Sequence, residues 1–187
     1  MTEVFFYHLE HRPLEQVLPV LLEKSLERGW NSLVHVGKDI SIIEGEENEP
    51  SNSRKQQNSP IGFLDKALWA FRDDSFLPHC IYDPKKSSSE NPEREEYEKQ
   101  SILLCAGEKT LKGENPNNAQ IKFYVAGAVP TGLENMEAGQ YKRLVFMFDG
   151  HDPDVVVEAR QVWKNLSKTH QATYWQQDES GNWMKKA

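Results

Sequence analysis

Arg160, Lys164 and Lys168 recur at i, i+4 and i+8 in a chain whose 29 acidic residues outnumber its 22 basic ones. On a helix this spacing stacks like charges on one face, which costs roughly 0.3 kcal/mol per pair. Trp163 lies beside that row. A guanidinium holds a carboxylate bidentately, an ammonium reaches a second acid, and an indole offers apolar area. The set therefore suits an acidic peptide with an apolar end residue. The alternative is a solvated helix face with Trp163 in the core. From Asp152 to the end, five acids meet five bases, so this region escapes the acidic bias of the whole chain.

A second group lies in "LDKALWAFRDDSFLPH", Leu64–His79, where Trp69, Phe71 and Phe76 crowd together. A helix from about Gly62 to Phe71 puts Leu64, Leu68 and Phe71 on one buried stripe. Trp69 falls about 100° from Leu68, on the side shared with Asp65. Phe76 follows the turn Arg72–Ser75 and is anchored by Leu77 and Pro78. Two readings are open. Trp69 and Phe76 cap a small core, or they form a protein-binding patch of the aromatic kind that dominates interface energetics.

Other chemistry has weaker support. "DGHDPD" (Asp149–Asp154) holds metal-ligating residue types, but it stands at a strand-to-helix turn where Asp and Gly serve for capping and turning. The histidines are scattered, and no Ser/His/Asp or Cys/His order has motif context. Cys80 and Cys105 lie in apolar surroundings without a CxxC or a Cys/His zinc spacing, which reads as reduced core thiols.

The elements that must position these groups follow from periodicity. "EVFFYHL" (Glu3–Leu9) reads as a strand. Leu14, Val17, Leu18, Leu21, Leu22 and Leu26 then give a helical stripe, with Pro13 at its start, Gly29 at its stop, and Pro19 as a kink or restart. "SLVHVG" (Ser32–Gly37) closes a β-α-β unit, which implies a parallel pair. The first strand-to-helix turn carries "HLEHRP" in place of a glycine-rich phosphate cradle. "SILLCAG", "IKFYVAGAV", "KRLVFMFDG" and "ATYWQQ" read as further strands. A helix runs from Pro153, capped by Asp152, to about Thr169, with Val155, Ala159, Val162 and Leu166 buried. Residues 44–60 and 83–100 are polar insertions outside the core, and "DESGNWMKKA" is a polar tail. The expectation is one α/β domain over residues 1–187, with an open, mixed or mainly parallel sheet and helices on both faces.

At 187 residues the chain can bury a sizeable core. A net charge of −7 and a pI near 5.4 disfavour duplex binding by the protein as a whole. Without a signal peptide or a long apolar run, the expected location is cytoplasmic and no membrane partner is expected.

"LDKALWAFRDDSFLPH", "FDGHDPDVVVEARQVWK" and "TYWQQDESGNW" together resemble the chi subunit of the bacterial DNA polymerase III holoenzyme. The likeness runs from "FFYHL" to the tail, with the two polar insertions as departures. It implies a Rossmann-like domain without nucleotide-binding motifs, no catalysis and no cofactor. It also implies two protein partners: the psi subunit on the clamp-loader side, and the acidic C-terminal tail of the single-stranded-DNA-binding protein. By that resemblance Trp69 and Phe76 belong to the psi-side surface, and Arg160, Trp163 and Lys164 to the tail site. Trp163 stands where some relatives carry tyrosine, so no hydroxyl contact is implied. Lys168 joins the tail site on helix spacing alone. DNA would be reached only indirectly. The competing reading, of a different class, is a degenerate α/β enzyme that uses "DGHDPD" and a nucleotide.

Overall fold

The computed structural model describes residues 2–37, 59–72, 76–83, 93–106, 114–129 and 140–187. Among them eight strands make one sheet: β1 (Glu3–Leu9), β2 (Ser32–Val36), β3 (His79–Ile81), β4 (Ile102–Ala106), β5 (Ile121–Val125), β6 (Arg143–Asp149), β7 (Gln171–Gln177) and β8 (Trp183–Lys185). The order is β3-β4-β2-β5-β6-β1-β7-β8. All neighbours are parallel except β7 and β8. The sheet is mainly parallel and open, as expected, but the expected parallel pair of β1 with β2 does not form: β5 and β6 lie between them, so the connection through α1 passes over two strands.

Helices cover both faces, so the inner strands are near-continuous apolar runs rather than alternating ones. On one face α1 (Leu14–Glu27) and α2 (Pro60–Trp69) bury Val17, Leu18, Leu22, Ile61, Leu64 and Leu68 against Val34, Leu104, Phe123 and Val145. On the other, α4 (Pro153–Leu166) and Tyr97 of the short α3 (Glu93–Glu98) pack on Leu33, Leu103, Phe146 and Phe148.

Several boundaries differ from expectation. α1 runs through Pro19 without a restart. The proline removes a single hydrogen bond, to the first helical turn, while its buried ring adds to the core. α2 begins at Pro60, because Ser59 caps it by accepting from Gly62 N at 3.2 Å. The stretch 83–100 is not wholly outside the core. Tyr97 is buried, packs edge-on to Tyr82 at 5.0 Å, and its hydroxyl accepts from Asp83 N. One apolar residue among charges leaves no periodicity to read, so only the position of Tyr82 reveals it. The first insertion lies outside the described residues as far as residue 58, as do residues 84–92. Part of the polar tail is a strand: β8 lies along β7, with Trp183 edge-on to Tyr7 at 4.8 Å.

Candidate functional site

The strand-to-helix turn after β1 is where a doubly wound sheet holds a phosphate. Here the backbone N–H groups of Glu10, His11 and Arg12 all donate to Oε1 of Gln177, at 2.9, 2.9 and 3.1 Å. A fully buried side chain from β7 takes the place a phosphate oxygen would occupy. The adjoining cleft, about 530 Å³ and bordered by Leu9, Arg12, Ala126 and Asp149, therefore lacks that cradle.

"DGHDPD" is used up in local structure. Asp149 Oδ1 accepts from His151 N at 2.9 Å. A Cβ on Gly150 would lie 2.3 Å from His8 Nε2, so the position admits no side chain. His151 Nε2 lies 2.7 Å from the Glu10 carbonyl, an acceptor, and so carries its proton there. Asp152 caps α4 by accepting from Asp154 N and Val155 N, and Pro153 takes the first helical position. Among the described residues no cluster of three potential metal ligands occurs. Burial pushes the Cys105 thiol up to about 12, and Cys80 and Cys105 are not joined in a disulfide.

The aromatic pair is exposed and held in place. Trp69 is 59% and Phe76 57% exposed, so they do not close a core. Their rings lie 4.9 Å apart, tilted by 44°. The neighbours on either side, Leu68 and Leu77, are buried and fix the backbone. His79, two residues past Leu77, stands edge-on to Trp69 at 5.4 Å. Its Nδ1 is 2.7 Å from Leu77 O, and its Nε2 is 3.2 Å from Asp65 Oδ1. The pair is thus supported by a histidine whose own ring is held between the Leu77 carbonyl and the Asp65 carboxylate. Phe63, 54% exposed, is a further apolar group on α2. His79 and Phe63 were not legible as parts of this surface, because strand β3 has only three residues and Phe63 falls between stripes.

On α4 the buried stripe is Val156, Ala159, Val162 and Leu166. Val156 replaces the expected Val155, which is half-buried at the rim of the cleft. Both fit a helical spacing to Ala159, and the position of the first turn over the sheet decides between them. Arg160 and Lys164 are exposed one turn apart. Lys168 does not continue their row. The helix ends at Leu166, and Ser167, Lys168 and Thr169 bond back in a tight turn that delivers the chain to β7. Lys168 is exposed in that turn, beyond the helical face.

Trp163 is half-buried and perpendicular to Tyr174 at 6.3 Å. Its Nε1 is buried and finds no acceptor among the described residues. The Tyr174 hydroxyl lies 3.1 Å from His8 Nδ1. Burial raises the Tyr174 pKa, and the Arg160 guanidinium beside it opposes the rise. Burial lowers the His8 pKa, with the Glu10 carboxylate opposing. Tyr174 and His8 support this face through the pairing of β1 with β7, a contact that no local pattern reveals.

The family model described as DNA polymerase III chi subunit, HolC, matches residues 1–42 and 54–173. The chain belongs to that family. The match takes in every strand from β1 to β6, the start of β7, and both surfaces just described. Chi-family membership makes the chain an accessory subunit of the replicative polymerase III assembly. β8 and the end of β7, which carries Gln177, lie beyond the match. No curated protein sequence matches the chain. Among the described residues no helix is long and apolar enough to cross a membrane.

Proposed function

We propose that this chi-family chain is a non-catalytic adaptor. Trp69 and Phe76 hold a clamp-loader-side protein, psi or its equivalent. Arg160, Trp163 and Lys164, with Lys168 at the margin, hold the acidic C-terminal tail of single-stranded-DNA-binding protein. One observation supports the adaptor reading above the rest: α2 and α4 pack on opposite faces of the same sheet, so both surfaces can be occupied together. Each also has the chemistry its partner requires. The aromatic pair is exposed yet braced, as an interface anchor must be. The α4 face offers a guanidinium for a carboxylate, a lysine one turn on, and the half-buried indole of Trp163 as apolar area.

The test is titration calorimetry with a synthetic acidic peptide that ends in a hydrophobic residue. A hydrogen bond to a charged group contributes about 2 kcal/mol, so Arg160→Ala should weaken binding roughly 30-fold. Lys168→Ala, beyond the helical face, should weaken it far less. Amidating the terminal carboxylate should reproduce much of the Arg160 loss, and the two changes should not add if they remove one contact. Full-strength binding by folded Arg160→Ala would move the tail site off α4.

A further inference from the structure

Tyr174, in the middle of β7, stands just past the end of the family match, where α4, β1 and β7 meet. Its ring is perpendicular to Trp163 at 6.3 Å and stacked on Phe6, its register partner on β1, at 6.3 Å. Its hydroxyl lies 3.1 Å from His8 Nδ1. The His8 ring is itself pinned. It is buried, lies 5.1 Å from the Phe148 ring, and packs so closely on Gly150 that a Cβ there would come within 2.3 Å of Nε2. The Arg160 guanidinium faces the same hydroxyl. Burial raises the Tyr174 pKa, and Arg160 opposes that rise by its charge and by a hydrogen bond. Burial lowers the His8 pKa, the Glu10 carboxylate opposes, and Arg160 adds to the lowering.

A guanidinium has donors alone, so the hydroxyl oxygen accepts from Arg160 and its own proton is donated to His8 Nδ1. The bonds then run in one direction, from the exposed arginine through the hydroxyl to the buried imidazole. Arg160 forms no ion pair among the described residues. Glu10, the acid 3.7 Å from His8 Nε2, accepts from Gln176 Nε2 at 2.9 Å. A neutral hydroxyl thus holds the guanidinium without cancelling its charge, as a carboxylate neighbour would. A loose arginine side chain gives up rotamer freedom when it binds, and one already held gives up less.

We propose that Tyr174 is a positioning residue of the tail site: its hydroxyl, seated on His8, aims the Arg160 guanidinium at the incoming carboxylate. This rests on the tail reading given above. Trp163 lends apolar area but no hydroxyl, so the polar support of the site comes from β7 and β1 rather than from α4.

The test has two arms. Without peptide, the Arg160 Nε–H signal is followed by proton–nitrogen NMR and assigned through Arg160→Lys. It should stand apart from the signals of solvated arginines in the unaltered chain. It should join them in Tyr174→Phe, which keeps the ring against Trp163 and Phe6. With the acidic peptide, Tyr174→Phe should weaken binding about fivefold by calorimetry, the cost of ordering one long side chain. That loss should vanish in an Arg160→Ala background, whereas a merely structural role would give the same loss in both backgrounds. An Arg160 signal already among the solvated ones, an unchanged signal in Tyr174→Phe, or an equal loss with and without Arg160 overturns the proposal. Full-strength peptide binding by Arg160→Ala overturns the tail reading and with it the purpose of the contact. The NMR arm uses no peptide, so it separates that failure from failure of the contact itself.

Discussion

Gln177 has a side-chain carbonyl that accepts three consecutive backbone N–H groups, from Glu10, His11 and Arg12. Truncation leaves all three part-buried groups without that acceptor, and an unsatisfied group costs up to about 1 kcal/mol at such a site. Gln177→Ala should therefore lose roughly 2–3 kcal/mol of unfolding free energy by urea titration, given partial rescue by water in the adjoining cleft. An unchanged midpoint would mean that the loop holds itself. His8 sets a pH dependence. Its folded pKa is depressed, chiefly by burial, so the folded state binds the proton less well than the unfolded chain does. Its contribution to stability is complete above the unfolded value of about 6.5 and is lost as pH falls through the lower folded value. The thermal midpoint should drop on acidification from neutrality, and less steeply in His8→Asn. Equal slopes would remove His8 as the cause.

At the scale of elements, α2 and the segment after it present the aromatic pair. Trp69→Ala or Phe76→Ala removes an exposed ring and leaves Leu64, Leu68 and Leu77 in the core. Each should keep the thermal midpoint within a few degrees, since surface changes usually shift stability by less than about 0.5 kcal/mol. Each should weaken a clamp-loader-side partner by roughly 2 kcal/mol, measured by surface plasmon resonance, while the acidic peptide still binds. Unfolding of both variants would show that the rings are structural. β8 is a second element with a definite role. It covers the edge of β7 and brings Trp183 onto Tyr7. Ending the chain at Asp178 uncovers that edge and that ring, so the truncated protein should be less stable and more prone to self-association in sedimentation velocity. A monomer of full stability would make β8 dispensable.

At the scale of the whole molecule, two surfaces on opposite faces of one sheet predict independent occupancy. The affinity for the acidic peptide should be the same with and without the clamp-loader-side partner, within a factor of about two, because no shared side chain couples sites so separated. A large change would require a conformational link across the sheet. The family match also passes over residues 43–53. Loop-closure cost changes only slowly with length, so deleting that segment should move the thermal midpoint by no more than about 2 °C. A collapse on deletion would show that the segment belongs to the core.

The sequence by itself determined six of the eight strands and the helices that cover both faces, but not β3 or β8. Runs such as Leu144–Phe148 read as buried strands because both faces of a parallel sheet are dry, and the stripes of α1 and α4 follow from helical periodicity. It also determined the residue types at both candidate surfaces, since Trp69 falls off the buried stripe and Arg160 and Lys164 share a face. Only the tertiary structure decided the rest. Trp69 and Phe76 are exposed and adjacent because α2 and the residues leading into β3 hold their rings together, and a three-residue strand has too little period to read. Lys168 leaves the basic row because the chain must turn to reach β7 in register with β1. Tyr97, Gln177 and the pair Lys142 and Arg143 beside Trp30 meet partners that are not their sequence neighbours, and such contacts arise from strand order, which periodicity does not encode.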